Sequence, residues 1–587
     1  MDTPSPLLDE ARRLRARGRH LEAVSLLRQA LRRGPGEAEL HHELGNALRS
    51  LGRHEEALVP LREAVRLSGD NPIFWLNLGV THYERDMHAE ALECFQRALA
   101  LAPDFPELRN ILGCCLLALG RSSEATTQLR EALRLRPDYA AAHNNLARCL
   151  RSQGRMQEAL ACYERSLQLQ PNAACHSNAL MALNYLDGLS PALLAQQHRE
   201  WGRLHADHFA PPPGQPRVGS SPASRRLRLG YVSGDLCNHA VAFFIAPILA
   251  HHDRARFEVT CYSNTLAPDQ VTARLRSLCE HWRDIARLDD ETVARLIRED
   301  GIDLLVDLSG HSAHNRLLVF ARRPAPLQLT WLGYPSTTGL STIDYRISDE
   351  RCLPSGWTDS QGSERILRLP DCFTCYEPPR ELPEPAMPGR HGRGGPPMFC
   401  SFSNLAKLST PTLALWARLL AAQPGSRLLL KSPGAADAGA QERILGVLAA
   451  GGVSKEQVQF HGRPLPLREH LALYAECDVA LDPFPYNGTT TTCEALLMGV
   501  PVVTLRGDSH VSRVGHSLLS CIGHAELVAS DEEDYLRIAC SLAGDRPRLE
   551  SLRTGLRPDL LASPLCQAET FTRNYEAALL GLLRQSA

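Results

Sequence analysis

The chain has 587 residues, of which 44% are hydrophobic, and a formal net charge of −2 at pH 7. A chain of this length is too long for a single hydrophobic core, so we expect three or four domains. The near-neutral charge argues against nucleic acid as a main partner and against a polybasic membrane anchor.

The first residues, MDTPSPLLDEARRLRARGRH, are polar and lack the pattern of a signal peptide. The longest apolar runs, such as VAFFIAPILA, reach about half of the roughly 20 residues that a membrane-spanning helix needs. We therefore expect a soluble, cytoplasmic protein without a membrane partner. The Cys-x-x-Cys pair, Cys372 and Cys375, has no second pair or nearby histidine, so we expect no metal site.

Residues 1–173 contain about five copies of a 34-residue repeat. Glycine, alanine and proline recur at fixed positions, with Asp86 replacing glycine in the third copy; the glycines are Gly18, Gly52, Gly120 and Gly154. Glycine at this place suits a left-handed turn between two helices, and the small alanines let helices approach closely. The pattern is typical of tetratricopeptide repeats, which stack into a solenoid with a concave groove.

The groove of such an array predicts protein or peptide partners. In the best-known array of this kind, a row of asparagines holds the backbone of an extended peptide. The matching positions here are Glu43, Asn77, Ile111 and Asn145, of which two are asparagine. Either the row is partial or the groove binds a different peptide, and ordinary helix surface is the alternative for both asparagines. Repeat arrays often self-associate, so a homo-oligomer is a further expectation.

Residues 174–225 are predicted as a helical connector that ends in a Pro/Gly/Ser-rich linker, APPPGQPRVGSSPAS. Short apolar strands then alternate with helices over residues 226–385 and again over residues 386–587, which predicts two Rossmann-like α/β lobes with parallel sheets. Neither lobe has a G-x-G-x-x-G loop or a P-loop, which argues against NAD, FAD and P-loop nucleotidase chemistry. Ligands of such sheets bind at the carboxyl ends of the strands, here in the cleft between the lobes.

Four consecutive threonines, Thr489 to Thr492, follow the strand VALDPFP and open a helix. Free N–H groups and the positive end of the helix dipole at this position favour an anion, for which a diphosphate is the obvious candidate. Glu494 lies in the first turn, where its carboxylate can reach a ribose hydroxyl. Lys407 follows another strand of the same lobe and can neutralise the same phosphates. The alternative is a helix cap with spare threonines.

The chain resembles the tetratricopeptide-linked glycosyltransferases, the family of protein O-GlcNAc transferase and its plant SPINDLY-type relatives, as a bacterial-type homologue. The shared stretches include LRLGYVSGDLCNHAVAFFIAPIL, RPAPLQLTWLGYPSTTGL, SFSNLAKLS and ALDPFPYNGTTTTCEALLMGVPVVTLRG. The resemblance covers nearly all residues, repeats included. It implies a GT-B catalytic region of two Rossmann-like lobes, the second of which binds the nucleotide sugar.

The resemblance also implies roles for individual residues. It assigns the diphosphate to Lys407, Asn404, Thr490 and Thr491, with Thr489 beside them. By the same resemblance, Glu494 would bind the ribose and His470 would lie near the nucleotide base. His239 would lie near the sugar and the acceptor. His311 follows a strand of the first lobe and could face the cleft. For each histidine the alternative is an imidazole satisfied in a core or loop.

The implied activity is transfer of a sugar to Ser or Thr hydroxyls of proteins by an inverting displacement that needs no metal or other cofactor. The general base is open among His239, Asp235 and a phosphate oxygen of the donor. Leu467 replaces a lysine of O-GlcNAc transferase, and PYNGTTTTCE is closer to the plant protein fucosyltransferase pattern. The donor is thus UDP-GlcNAc or, alternatively, GDP-fucose. A non-enzymatic peptide-binding scaffold and a transferase acting on glycans or Asn remain alternatives.

Overall fold

The computed structural model describes residues 6–34, 36–211, 225–357, 362–385 and 395–586. The linker predicted over residues 210–224 lies outside the described residues from residue 212 onward. The chain divides into two compact units: residues up to 153 with 161–170 form the first, and residues 154–160 with those from 171 onward form the second. The domain boundaries predicted at residues 173, 225 and 385 stay predictions.

The first third of the chain is helical. Its helices are α1 (Pro6–Ala16), α2 (His20–Arg33), α3 (Ala38–Ser50), α4 (His54–Leu67), α5 (Pro72–Tyr83), α6 (His88–Leu101), α7 (Pro106–Ala118), α8 (Ser122–Leu135), α9 (Ala140–Ser152) and α10 (Met156–Leu169). Successive helices from α1 to α9 pack on one another. This confirms the predicted repeat fold.

The turns inside the repeats have the backbone conformation that the sequence predicts. Gly18, Gly52, Gly120 and Gly154 have φ between 71° and 77°, and Asp86 has φ 58° at the matching place. The alanine of each second helix is fully buried, at Ala23, Ala57, Ala91, Ala125 and Ala159. A side chain larger than a methyl group at these positions would push two helices apart.

Three of the four predicted groove positions make contacts between neighbouring repeats. The Asn77 amide donates to His42 Nε2 at 2.9 Å, and the Asn145 amide donates to Asn110 Oδ1 at 2.9 Å. Glu43 is buried and accepts hydrogen bonds from Arg12 and Arg15 at 3.3 and 3.1 Å. Peptide binding by this surface stays a prediction.

The part of the second unit from residue 171 onward begins with another helical pair, α11 (Ala173–Leu183) and α12 (Pro191–His205). Gly188 lies between them with φ 72°, which is the same turn one repeat length after Gly154. The predicted connector therefore starts with a hairpin that resembles the repeats.

Two parallel sheets follow, as predicted. The first has the order β3-β2-β1-β4-β5-β6-β7 and the second the order β10-β9-β8-β11-β12-β13. The strands are β1 (Leu227–Ser233), β2 (Phe257–Ser263), β3 (His281–Asp284), β4 (Leu304–Asp307), β5 (Leu327–Thr330), β6 (Tyr345–Asp349), β7 (Arg365–Leu369), β8 (Met398–Ser401), β9 (Arg427–Lys431), β10 (Val458–His461), β11 (Val479–Leu481), β12 (Val502–Leu505) and β13 (Val528–Ala529). The register of neighbouring strands is parallel throughout, with Leu229 opposite Val259 and Leu304, for example.

Helices connect most of these strands and cover the sheets. They are α13 (Ala240–His251), α14 (Gln270–Ser277), α15 (Asp290–Glu299), α16 (Leu317–Ala321), α17 (Thr410–Ala422), α18 (Ala438–Ala450), α19 (Leu467–Ala472), α20 (Thr490–Leu497), α21 (Val514–Cys521), α22 (Glu532–Gly544), α23 (Arg546–Ala562) and α24 (Ala568–Ser586). We call β1–β7 with their helices lobe 1, and β8–β13 with α17–α23 lobe 2.

Helix α24 departs from the predicted division of the lobes. We predicted residues 386–587 to form the second lobe, but Phe571, Tyr575 and Leu579 of α24 are buried in the hydrophobic core of lobe 1. Tyr575 stacks on Trp331 with ring centroids 4.9 Å apart, and Glu576 accepts a 2.8 Å hydrogen bond from His252. The apolar face of α24 covers lobe 1, which strand–helix alternation along the chain cannot reveal.

Candidate functional site

A cavity of about 390 Å³ lies between the two lobes. Its wall includes His239 and Trp331 from lobe 1 and Asn404, Lys407 and Thr490 from lobe 2. Each of these residues follows the carboxyl end of a parallel strand, which is the edge where ligands of such sheets bind. The connector contributes Met181 and Tyr185 to the same wall.

Lys407 ends a short 3-10 turn, Leu405–Lys407, after β8. Its Nζ donates a 2.8 Å hydrogen bond to the Asn487 carbonyl and lies 4.2 Å from the centre of the Tyr486 ring. Both partners belong to the loop that leads into α20, so the ammonium group is held beside the threonine row.

Burial disfavours the charged form of Lys407 and lowers its pKa from 10.5 to about 8, while Asp482 opposes this shift. Burial also raises the pKa of Asp482 to about 7, although Thr504, Gly488 and Lys407 stabilise its carboxylate. Asp482 accepts from the Gly488 amide at 2.6 Å and from the Thr504 hydroxyl at 2.7 Å. A cation that lacks full charge compensation can gain free energy from an anionic ligand.

The threonine row opens α20 as predicted. Thr489 is the residue before the helix and its side chain makes no capping hydrogen bond. The first amides of an α-helix precede any intrahelical acceptor, and here they belong to Thr490, Thr491 and Thr492. Thr489, Thr490 and Thr491 line the cavity, whereas Thr492 is buried beneath them. This end of α20 can hold an anion.

Asn404 also lines the cavity, at the start of the turn that carries Lys407. Its Oδ1 accepts from the Ala406 amide at 3.0 Å. This hydrogen bond orients the side chain and leaves its Nδ2 as the group that can donate to a ligand.

His470 and Glu494 lie together behind the helix start. The His470 Nε2 and the Glu494 carboxylate are 3.0 Å apart, and both side chains are largely buried. Burial lowers the pKa of nearby Lys431, and Glu494 opposes that shift. The sequence predicted a ribose contact and a base contact here; the structure places the two groups in contact with each other and outside the wall of the cavity that holds Lys407.

His239 precedes α13 on the opposite side of the cavity. Its Nδ1 accepts weakly from the Val241 amide at 3.4 Å and lies 3.9 Å from Asp235 Oδ1. Burial raises the pKa of Asp235, and the charge of His239 opposes this. The Asp235 Oδ2 atom is buried without a hydrogen bond to any described residue. For Nε2 to accept a proton from a substrate, Nδ1 must carry the other hydrogen. In that tautomer Nδ1 no longer accepts from the Val241 amide, and Asp235 is the nearby carboxylate to which it can donate.

His311 does not face the cleft, so that prediction is wrong. Its side chain is buried, with 1% of the residue exposed. Nδ1 pairs with the Ser177 hydroxyl at 2.9 Å and Nε2 with the Thr338 carbonyl at 2.7 Å. Burial lowers the pKa of His311 well below its usual value. It is a satisfied core histidine that fixes α11 to lobe 1.

Sequence reasoning missed several residues of the cavity wall. Tyr185 and Tyr486 stack with ring centroids 4.7 Å apart, which joins the connector to lobe 2 above Lys407. Arg346 and His510 line the cavity as well. Tyr486 stands within the shared stretch ALDPFPYNGTTTTCEALLMGVPVVTLRG, but a shared stretch does not tell which of its side chains face a ligand.

Among the described residues, every helix is too short or too polar to span a lipid bilayer. Within the same ranges, no group of three or more His, Cys, Asp and Glu side chains has an arrangement that could hold a metal ion.

Comparison with known proteins gives consistent matches. The family model described as glycosyl transferase family 41 matches residues 206–377 and 395–575. Tetratricopeptide repeat models match residues 8–72, 72–105 and 112–174.

Two similar relatives are plant proteins. The chain is 40% identical over 416 residues to a Petunia hybrida protein named probable UDP-N-acetylglucosamine-peptide N-acetylglucosaminyltransferase SPINDLY, a match covering 70% of this chain and 44% of the relative. The Oryza sativa protein of the same name is 42% identical over 418 residues, with the same coverage. The chain thus spans less than half of the length of these curated relatives.

One solved structure is similar over most of its length. A mutant of the Thermobaculum terrenum O-GlcNAc transferase has a TM-score of 0.83 and 37% sequence identity, and the match covers 88% of this chain and 97% of that one. This match supports the predicted arrangement of helical repeats followed by a GT-B region.

Proposed function

Because the chain belongs to glycosyl transferase family 41, we propose that it transfers a sugar from a nucleotide-sugar donor to Ser or Thr hydroxyls of proteins. UDP-GlcNAc is the donor that the names of the plant relatives favour, and GDP-fucose is the alternative. The observation that carries the proposal is that Lys407 and the threonine row share one cavity with His239.

The diphosphate of the donor would bind at the start of α20. Amides and hydroxyls of Thr490 and Thr491 would donate to its oxygens, and Lys407 would supply positive charge. As the bond to the sugar breaks, negative charge grows on the leaving phosphate, and donors already oriented there stabilise it most. These protein groups would balance the negative charge of the diphosphate, so we propose a reaction that needs no metal.

The acceptor hydroxyl would attack the anomeric carbon from the face opposite the diphosphate, and the configuration would invert. The hydroxyl proton has to leave during this step. His239 is the candidate base, with Asp235 holding the hydrogen on Nδ1, and Asp235 itself or a phosphate oxygen are the competitors. The role of the protein is mainly to position the two reactants and to stabilise the leaving group. The repeat unit would bind the acceptor protein.

A donor screen tests this function. We expect the chain to release UDP from UDP-GlcNAc, or GDP from GDP-fucose, and to add the sugar to a peptide Ser or Thr, as read by mass spectrometry. The rate should not change in EDTA. Binding of neither nucleotide would instead support a scaffold built on the repeats, and modified Asn or glycan would identify a transferase of another specificity.

A nucleoside diphosphate should bind more weakly as the pH rises above 8. The pKa of Lys407 in the free protein is about 8, so the ammonium loses its proton above this pH, whereas a bound diphosphate favours the charged form. The affinity should then fall by roughly tenfold per pH unit. Asp482, with its pKa near 7, loses its proton as the pH rises, and its negative charge then repels the diphosphate. This also weakens binding at higher pH.

Titration calorimetry with UDP or GDP from about pH 7 to 9, in two buffers of different ionisation enthalpy, measures both the affinity and the proton uptake. Lys407→Arg keeps its charge over this range and should flatten the dependence. An affinity that stays constant across the range in the unaltered chain would exclude Lys407 as a phosphate ligand.

A further inference from the structure

Arg346 is a buried cation in the cavity wall that the mechanism above does not use. It is the second residue of β6, opposite Thr330 at the end of β5. Only 6% of the residue is exposed, and its Nε is buried without a hydrogen-bond partner among the described residues. Burial lowers the pKa of Arg346, but arginine remains charged in proteins.

The charge of Glu364 acts on Arg346 and opposes the effect of burial. The Glu364 carboxylate is nevertheless hydrogen-bonded to other residues. Its Oε2 accepts from the Thr337 hydroxyl at 2.5 Å, and its Oε1 accepts from the Thr338 amide at 2.7 Å and from the Thr338 hydroxyl. A buried guanidinium without a partner is costly, so its retention at a cavity indicates that a ligand supplies the hydrogen-bond acceptors.

His510 lines the same cavity from lobe 2, beyond the end of β12. The residue is 8% exposed, and its Nδ1 has no hydrogen-bond partner in the described part of the chain. Burial lowers the pKa of His510 to about 3, and the charge of Arg346 adds to the effect. The imidazole is therefore neutral and offers one donor and one acceptor nitrogen.

The position of His510 is fixed by its neighbours. It opens the 3-10 turn His510–Ser512, and Ser509 and Ser512 cap this turn reciprocally. Phe373 packs edge-on against the imidazole, with ring centroids 5.1 Å apart. The Asn487 amide, beside the threonine row, donates to the Val511 carbonyl at 3.1 Å. The imidazole is thus preorganised relative to the proposed phosphate groups.

The two groups differ in the chemistry that they can recognise. A guanidinium only donates, and its planar fork suits two neighbouring oxygen atoms. A neutral imidazole both donates and accepts, as a hydroxyl does. A carboxylate would satisfy the arginine, but it could accept only one hydrogen bond from the imidazole and would leave the other nitrogen without a donor. Adjacent hydroxyls of a neutral sugar match both groups.

We propose that Arg346 and His510 form the subsite that binds the transferred sugar through its hydroxyls. This proposal rests on the proposed function, since it assigns the sugar of the donor whose diphosphate Lys407 would hold. Both residues are specificity residues in this scheme, because they contact the part of the donor that differs between one sugar and another.

The test compares a nucleotide sugar with the nucleotide alone. Titration calorimetry would measure UDP-GlcNAc against UDP, and GDP-fucose against GDP. In Arg346→Met and His510→Leu we expect at least about a tenfold loss of affinity for the nucleotide sugar, and a change of less than about twofold for the nucleotide. His510→Asn keeps a donor and an acceptor and should restore part of the loss. Arg365→Met removes an exposed arginine from β7 and should change neither affinity.

Two results would overturn the sugar subsite. One is an equal loss for the nucleotide and the nucleotide sugar in Arg346→Met, which would assign the guanidinium to the phosphates. The other is no loss for either ligand. Should Arg346→Met not fold, as seen by circular dichroism, the two His510 variants decide in the same way. If the unaltered chain binds no nucleotide at all, the proposed function fails first and this subsite fails with it.

Discussion

Replacing Lys407 with alanine should lower the rate of sugar transfer by about 10²–10³-fold, which is the usual cost of losing one group that stabilises charge in a transition state. Lys407 is the cation held beside the threonine row, by hydrogen bonding to Asn487 and by contact with the Tyr486 ring. Without it, the leaving diphosphate would have only the amides and hydroxyls of α20. The measurement is the initial rate of peptide modification at saturating donor.

The chain offers a matched control for this variant. It contains three lysines, and Lys455 is exposed in lobe 2, away from the cavity wall. Lys455→Ala should keep full activity. Thermal unfolding of Lys407→Ala should stay close to that of the unaltered chain, since the substitution removes a desolvated cation. Near-normal turnover of Lys407→Ala would refute its diphosphate role.

Replacing His239 should reduce kcat by about 10²–10⁴-fold while the KM for the donor changes only a few-fold, as expected for a general base. His239 also caps α13 through its Nδ1, so His239→Ala alone mixes two effects. His239→Asn keeps a capping acceptor and removes the base. Both variants should lose activity, and only the alanine variant should lose stability.

Asp235→Asn separates the two candidate side-chain bases. If Asp235 only orients the imidazole, this variant should lose less activity than His239→Asn and should shift the pH profile of kcat. A larger loss in Asp235→Asn than in His239→Asn would make the carboxylate the base. Normal kcat in all of these variants would leave the phosphate oxygen of the donor as the proton acceptor.

The sequence predicted the fold well because its signals are local. The repeat period can be read from positions with a strict local requirement. Ala57 must be small because it is fully buried between helices, and Gly52 adopts a left-handed backbone conformation. The start of α20 was predictable because threonine hydroxyls are favoured at a helix N-terminus, where they can pair with free backbone amides. Lys407 was identified because it follows a strand of the same lobe.

The rest of the site depends on contacts between distant residues. His311 was predicted to face the cleft from its place after a strand, but α11 covers it and Ser177 pairs with it. Arg346 and His510 line one cavity only because the two lobes face each other, and the local sequence around each residue does not indicate this. Whether a polar residue is buried without a partner can be judged only when all of its neighbours are known.

Helix α24 has a consequence for how the protein is made. Lobe 1 needs Phe571, Tyr575 and Leu579 for its core, yet the ribosome synthesises these residues long after β1 to β7. The hydrophobic core of lobe 1 therefore cannot be completed until nearly all of lobe 2 has been translated, and part of its apolar surface stays uncovered until then. During that interval the nascent chain exposes a surface that chaperones can bind.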